Sequence, residues 1–369
     1  MSYQQLRRCF ARVHFANKPR ILKSVSGRSF SSITPIFSHL KSPTQEDYEA
    51  LASLMNHRDG CIITDEAELE RYNTDWTNQY KGHSTIVVKP KSTHELSSVL
   101  SHCNQHSLGV VPQGGNTGLV GGSVPMSNEI VLSLSSINTI YSLDETNEIL
   151  TCDAGCILQS LQEYAADKNH LLPIDLGAKG SCMIGGNIST NAGGQYYYRF
   201  GSLHANILGL EVVLADGQVL DLMNCNRKDN TGYHLKHLFI GAEGTLGVIS
   251  KVNINCPRKP SSRHVAFLAC ETFDNVLQAL NLAKSELGEI LAAYEFMDEN
   301  VLSFIENVPI RPDSTTTTAN YPFCVLVETQ GCNMDHDSVK MQSFLQKSME
   351  TGIVVDGTLA QDGKQIRDL

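Results

Sequence analysis

The run Asp175-Leu-Gly-Ala-Lys-Gly-Ser-Cys-Met-Ile-Gly-Gly-Asn-Ile-Ser-Thr-Asn-Ala-Gly-Gly194 carries two Gly-Gly pairs, Gly185-Gly186 and Gly193-Gly194, with Asn187, Thr190 and Asn191 between them. Glycine lets a backbone take φ > 0 and come close to a ligand, and amide and hydroxyl side chains add donors and acceptors. A polar loop with no ligand needs no such density of glycine. The run therefore reads as a bed for a long ligand lying along the chain, with Gly186 expected at φ > 0.

Two further bursts flank it. Val111-Pro-Gln-Gly-Gly-Asn-Thr-Gly-Leu-Val-Gly-Gly-Ser123 follows a buried strand directly, and Gly241-Ala-Glu-Gly-Thr-Leu-Gly-Val-Ile249 enters one. Of the 28 glycines, 20 fall between Gly109 and Gly247. Consecutive amides in the first burst can form a concave nest for phosphate oxygens, with Gly115 also expected at φ > 0. A flexible surface loop is the weaker reading because apolar strands enclose the burst. A dinucleotide fingerprint would need glycine at position 116, which is Asn, and the Gly-Lys-Ser/Thr of a P-loop occurs nowhere.

Around these bursts the pattern is mixed α and β. Residues 45–56 read as a short helix and residues 65–81 as a polar, partly irregular lead-in. Strands are expected at 85–89, 109–112, 130–134, 149–154, 208–214, 219–222 and 247–254, and a helix from Ser92 to about His106 with Leu96, Val99, Leu100 and Cys103 on its apolar face. Past Pro257–Pro260 the texture changes. Strands at 264–270, 290–297, 323–329 and 352–356 alternate with helices at 273–287 and 336–347. A short helix at 299–307 and a Thr-rich loop at 313–319 come between. This β-α-β-β-α-β order predicts a ferredoxin-like sheet with helices on one face.

Charge and composition narrow the class. Residues 1–45 hold eight of the 29 Lys and Arg and no Asp or Glu, leaving 21 basic against 39 acidic residues beyond, a body that repels nucleic acid. Leu6, Phe10 and Val13 are spaced on one face of this basic, Ser-rich leader, the composition of a mitochondrial transit peptide, with cleavage expected after Phe30. No window approaches the roughly 18 apolar residues of a membrane span. The 11 cysteines are scattered without a zinc-finger spacing and read as reduced thiols, mostly in the core. His102 and His106 have the i, i+4 spacing of metal ligands. They lie off the apolar face with no acidic partner in view, so a solvated face is the expectation.

Taken in order, Pro112–Gly118, Ile184–Gly194 and Gly244–Ile249 resemble the FAD-binding domain of the vanillyl-alcohol oxidase and p-cresol methylhydroxylase family. Within it, Asp175–Asn191, Leu210–Gly217 and Arg227–Tyr233 are similar to the mitochondrial branch that oxidises D-2-hydroxyglutarate. The resemblance covers about Tyr48 to the C-terminus. It implies a leader over residues 1–40, a lead-in over 41–80, a two-part FAD-binding domain of p-cresol methylhydroxylase type over 81–258, and a ferredoxin-like α+β substrate (cap) domain over 259–369, incomplete at its end.

For the site, it implies that Gln113, Gly114, Gly115, Asn116, Thr117 and Gly118 wrap the FAD pyrophosphate, with Ser123 also at the cofactor. Gly185, Gly186, Asn187, Thr190, Asn191, Gly193 and Gly194 would run beside the rest of the cofactor, Ile249 would lie against the adenine end, and Gly244 also belongs to the cofactor site. Some relatives attach flavin to a histidine where this chain has Asn116, so non-covalent FAD is expected. The family's base and zinc ligands lie in a C-terminal histidine motif that this chain does not contain. After Pro257 it has only His264 and His336, each alone. No catalytic or metal residue is assigned, and the chain is read as a partial sequence. The implied activity is oxidation of D-2-hydroxyglutarate to 2-oxoglutarate in the mitochondrial matrix, with electrons passed to electron-transfer flavoprotein. D-lactate or another D-2-hydroxy acid is the alternative substrate, and a catalytically silent flavin-binding module the alternative of another class.

Overall fold

The computed structural model describes residues 41–303 and 321–360. The leader over residues 1–40, the Thr-rich loop and the last nine residues lie outside this range.

The first layer begins with α1 (Gln45–Leu54), β1 (Ile62–Ile63), α2 (Glu66–Asn73), β2 (Val87–Val88), α3 (Thr93–His106), β3 (Val110–Gln113) and β4 (Ile130–Ser133). The strands form one sheet in the order β1-β2-β4-β3, parallel from β2 to β3. Because side chains alternate across a strand, Ile86, Val88, Ile130 and Leu132 face the main core while Val87 and Val131 face the other way. That second face is covered by Leu69 and Tyr72 of α2. Residues 65–81 are thus more ordered than an irregular lead-in. Asp65 caps α2 by accepting the Glu68 amide at 3.1 Å, a start signal within a very polar helix. On α3 the expected cap and apolar face are both present, Ser92 accepting the Glu95 amide and Leu96, Val99, Leu100 and Cys103 being buried.

The second layer is a five-stranded antiparallel sheet in the order β5-β6-β9-β7-β8, built from β5 (Ile140–Asp144), β6 (Ile149–Asp153), β7 (Ile207–Val213), β8 (Val219–Leu222) and β9 (Val248–Asn255). Between β6 and β7 come α4 (Leu158–Asp167) and α5 (Ile184–Ser189). The glycine run therefore does not stay extended. Gly185 and Gly186 sit inside a helix without positive φ, and Gly115 likewise lacks it. Left-handed positions in the three bursts are Asn116 (φ 52°), Gly121 (φ 76°), Asn191 (φ 48°), Gly194 (φ 78°), Gly241 (φ 81°), Glu243 (φ 52°) and Gly244 (φ 77°).

The second domain comprises β10 (Ser262–Cys270), α6 (Phe273–Glu286), β11 (Leu291–Asp298), β12 (Phe323–Gly331), α7 (Met334–Glu350) and β13 (Asp356–Leu359). Its antiparallel order β13-β10-β12-β11 is that of a ferredoxin-like sheet. Ala266, Leu268 and Cys270 meet the helices, while Val265 and Phe267 face the opposite side. The last strand starts later than expected. Gly352 (φ 67°) turns the chain, the amides of Gly352 and Ile353 return to Met349 and Ser348, and Val354 is spent in the core before pairing begins. Among the described residues no helix is long and apolar enough to cross a membrane. None of the ten described cysteines is in a disulfide, and eight of them are buried.

Candidate functional site: a backbone-lined cleft and its polar neighbour

A cleft of about 370 Å³ opens between the turn after β3, helix α5 and the start of β9. Of the sixteen residues expected at a cofactor site, thirteen line it: Gln113, Gly114, Gly115, Asn116, Thr117, Gly118, Ser123, Gly185, Gly186, Asn187, Thr190, Gly244 and Ile249. Gly194 lines the neighbouring cleft instead, and Asn191 and Gly193 line neither. Glu243 is the only charged lining residue among those described, so the walls offer no cation.

What they offer is backbone. Among the described residues the amides of Gly115, Asn116, Thr117 and Gly118 have no hydrogen-bond acceptor. The turn that presents them is held from behind. Gln113 Nε2 donates to the carbonyls of Tyr72 (2.9 Å) and Ser123 (2.8 Å). Asn116 Nδ2 donates to those of Thr74 (2.8 Å) and Arg71 (3.2 Å), and the Ser123 hydroxyl donates to Asn116 Oδ1 at 2.7 Å. These three polar side chains are therefore structural braces, and the free amides around left-handed Asn116 line a concave turn of the kind that can accept an anion.

Each glycine has its own reason. A Cβ on Gly115 would fall 2.0 Å from the Ser181 carbonyl oxygen, and one on Gly185 would fall 2.6 Å from Ala154 Cβ, so both are required by close packing. A Cβ on Gly186 or Gly118 would meet no protein atom within 4 Å. Those two positions leave space on the cleft side. Asn187 is 6% exposed and its Oδ1 has no partner among the described residues. A buried amide oxygen without a donor costs about 1–3 kcal/mol, which a bound ligand donor would recover. Free amides, open glycines and an orphaned amide oxygen all fit a dinucleotide such as FAD.

A second cleft of about 490 Å³ adjoins the first, sharing Leu176 and Gly177, and lies between the Asp175–Tyr196 segment and strands β10 and β12. Its walls are ionic. Arg263 donates through Nε and an Nη to the two oxygens of Glu328 at 2.9 and 2.8 Å, and Gln330 Nε2 adds a third bond at 2.7 Å. Lys179 reaches both oxygens of Asp175 at 3.1 and 3.2 Å. Tyr196 stands beside them; burial and the Glu328 charge push its hydroxyl above the ordinary tyrosine value. Sequence reading missed this cleft, because Arg263 and Glu328 belong to separate strands and neither stands in a motif.

Comparison with known proteins agrees with this geometry. Residues 84–223 match the FAD binding domain family and residues 259–369 the C-terminal domain of FAD linked oxidases. The chain is 48% identical over 347 residues to a probable mitochondrial D-2-hydroxyglutarate dehydrogenase of Oryza sativa subsp. indica, a match covering 92% of this chain and 61% of that protein. It is 45% identical over 332 residues to a putative mitochondrial D-lactate dehydrogenase of Schizosaccharomyces pombe, covering 88% of this chain and 62% of the relative. The chain thus spans about three fifths of the length of these curated relatives. A solved alkyldihydroxyacetonephosphate synthase shares the fold, with a TM-score of 0.72 at 18% identity over 89% of this chain and 65% of its own. With both domains matched in order, the chain belongs to the FAD-linked oxidases that have an FAD-binding domain of p-cresol methylhydroxylase type.

Proposed function

We propose that the protein oxidises D-2-hydroxyglutarate to 2-oxoglutarate, with FAD held non-covalently in the backbone-lined cleft. The observation that carries this reading is the set of four unpartnered amides at Gly115–Gly118, in a chain nearly half identical to a D-2-hydroxyglutarate dehydrogenase. FAD, when bound, supplies the acceptor for the hydride on the substrate's C2. The amides hold the pyrophosphate. Gly118 and Gly186 leave room for the cofactor, and Asn187 Oδ1 accepts from it. Asn116 is no attachment point, since its side chain is engaged with two carbonyls and the Ser123 hydroxyl.

The substrate acid enters the adjoining cleft, where Leu176 and Gly177 connect it to the cofactor. Lys179 and Arg263 are its cations, each paired with a carboxylate, Asp175 and Glu328, that also lines the cleft. The protein works in the mitochondrial matrix, which the basic leader and the mitochondrial relatives support, and electron-transfer flavoprotein is the proposed acceptor. D-lactate is the second reading, favoured by the fission-yeast relative.

The test is to load the 369-residue chain with FAD and mix it anaerobically with each acid while following flavin absorbance. Faster bleaching by D-2-hydroxyglutarate supports the first reading, and faster bleaching by D-lactate the second. Bound FAD that neither acid bleaches makes this form a silent flavin module. Acid precipitation should release all the yellow colour; flavin left on the pellet would refute non-covalent binding.

A further inference from the structure

Where α1 packs against α3, the structure assembles a donor set that neither cleft uses. His102 and His106 stand one turn apart on α3 with their rings stacked, centroids 4.1 Å apart. Asp47 of α1 faces them, its Oδ1 3.1 Å from His102 Nε2 and 3.0 Å from His106 Nδ1. This corrects the expectation of a solvated histidine pair without an acidic partner. The other carboxylate oxygen, Oδ2, accepts the Thr44 amide (2.9 Å) and hydroxyl (2.7 Å) in the cap of α1. One oxygen is thus committed to the helix and the other left to the two imidazoles. Burial pushes the Asp47 carboxyl up, but the bonds from Thr44 and His102 outweigh it and hold the group below the ordinary Asp value.

We propose that Asp47, His102 and His106 bind one divalent transition-metal ion of the zinc class. Two imidazole nitrogens and a carboxylate oxygen suit such an ion, and Thr44 supplies the outer hydrogen bonds that fix the carboxylate. A tetrahedral ion with ligands at about 2.0–2.1 Å separates them by roughly 3.3 Å, so edges of 3.0 and 3.1 Å need to open by only a few tenths. All three ligand atoms already lie within 4.8 Å of one another. On binding, each neutral imidazole moves its proton to the far ring nitrogen and presents the near one to the metal. His106, whose side chain is 50% exposed, gives the entry path and leaves a fourth position for water. Cys103 lies between the histidines in sequence but is not in the donor set, being buried in the main apolar core. The ion would clasp α1 to α3. It is separate from the zinc that the family resemblance puts on a C-terminal histidine motif.

The experiment titrates Zn²⁺, and Co²⁺ for its visible spectrum, into the chelator-stripped 369-residue chain, with thermal unfolding as a second readout. The control is His237→Gln, which alters a second histidine cluster, in which His204 Nδ1 lies 2.9 Å from His237 Nδ1 and the His234 ring stacks on His237. We expect one equivalent bound, a raised Tm, and at least ~10-fold weaker binding in His106→Gln and Asp47→Asn, with His237→Gln unchanged. Circular dichroism of His106→Gln, changed at a half-exposed position, separates loss of metal from loss of fold. No binding at micromolar Zn²⁺, affinity unaffected by His106→Gln, or affinity lost with His237→Gln would each overturn the assignment. In that case the three side chains form only a hydrogen-bonded cluster.

Discussion

The two adjoining clefts touch at Leu176 and Gly177 yet are made of different material. The first is a surface of backbone, with free amides, glycines pressed against neighbouring carbonyls and one charged residue. The second is a surface of ion pairs, in which the Glu328 carboxylate, 3% exposed, receives three hydrogen bonds. A backbone site binds through shape and through dipoles that cost nothing to arrange once the chain is folded, and it fails when a side chain is added. A side-chain site binds through charges that must hold one another in place, and it fails when a charge is removed.

Gly115→Val should have the largest effect, because a branched side chain starting 2.0 Å from the Ser181 carbonyl oxygen can be relieved only by moving backbone. We expect a loss of about 3 kcal/mol in urea unfolding and no flavin retained on gel filtration. If the variant kept full flavin at wild-type stability, the first cleft would not depend on its close backbone contact. Next, Glu328→Gln should cost about 2 kcal/mol by leaving Arg263 short of its counter-charge. The arginine side chain is 35% exposed, which keeps the loss below that of a fully buried broken pair. Flavin content should not change. A coupled loss of flavin would mean that the two clefts are one unit.

The glycine pair on α5 sharpens the contrast further. Gly185→Ala should destabilise by about 1–3 kcal/mol through its contact with Ala154, while Gly186→Ala should be neutral or gain about 0.5 kcal/mol, as alanine in place of a helical glycine does. The second variant should nonetheless weaken FAD about 10-fold, read by fluorescence titration. Equal effects of the two on binding and stability would remove the distinction between packing and cleft-facing glycines.

The smallest expected change lies outside both clefts, at Glu211. Burial raises its pKa, but bonds from Thr93, Ser250 and Lys251 outweigh this and depress it below the ordinary 4.5. Its contribution is therefore complete above that value and disappears as pH falls through the lower folded-state value. Glu211→Gln should cost about 1 kcal/mol at pH 7, with the difference shrinking in acid. A gap in unfolding free energy that stayed constant down to pH 3 would show that the ionised carboxylate is not the source.

Most of the fold was legible because its signals are local. The cap and apolar face of α3, the short buried strands and the β-α-β-β-α-β order of the second domain each need only a window of residues. The elements missed lack such signals. Helix α4 buries Leu158, Leu161 and Ala165 but has no side-chain cap at Ile157, and β5 is an edge strand with Tyr141 50% exposed. Glycine content pointed to segments that line the first cleft but gave the wrong cause for Gly115 and Gly186. Both were expected at φ > 0, and neither is.

By itself, the sequence determined that glycine-rich turns would follow buried strands and that a second α+β unit would follow them in the chain. A missing side chain acts on its own residue and needs no partner to be recognised. Only the tertiary structure decided that Gly185 packs while Gly186 faces the cleft, that Arg263 meets Glu328 across β10 and β12, and that Asp47 reaches His102 and His106 from another helix. Charges and ligands act on whatever lies within a few ångströms. For residues 55 or 65 positions apart in the chain, only the packing of helices and strands sets that distance.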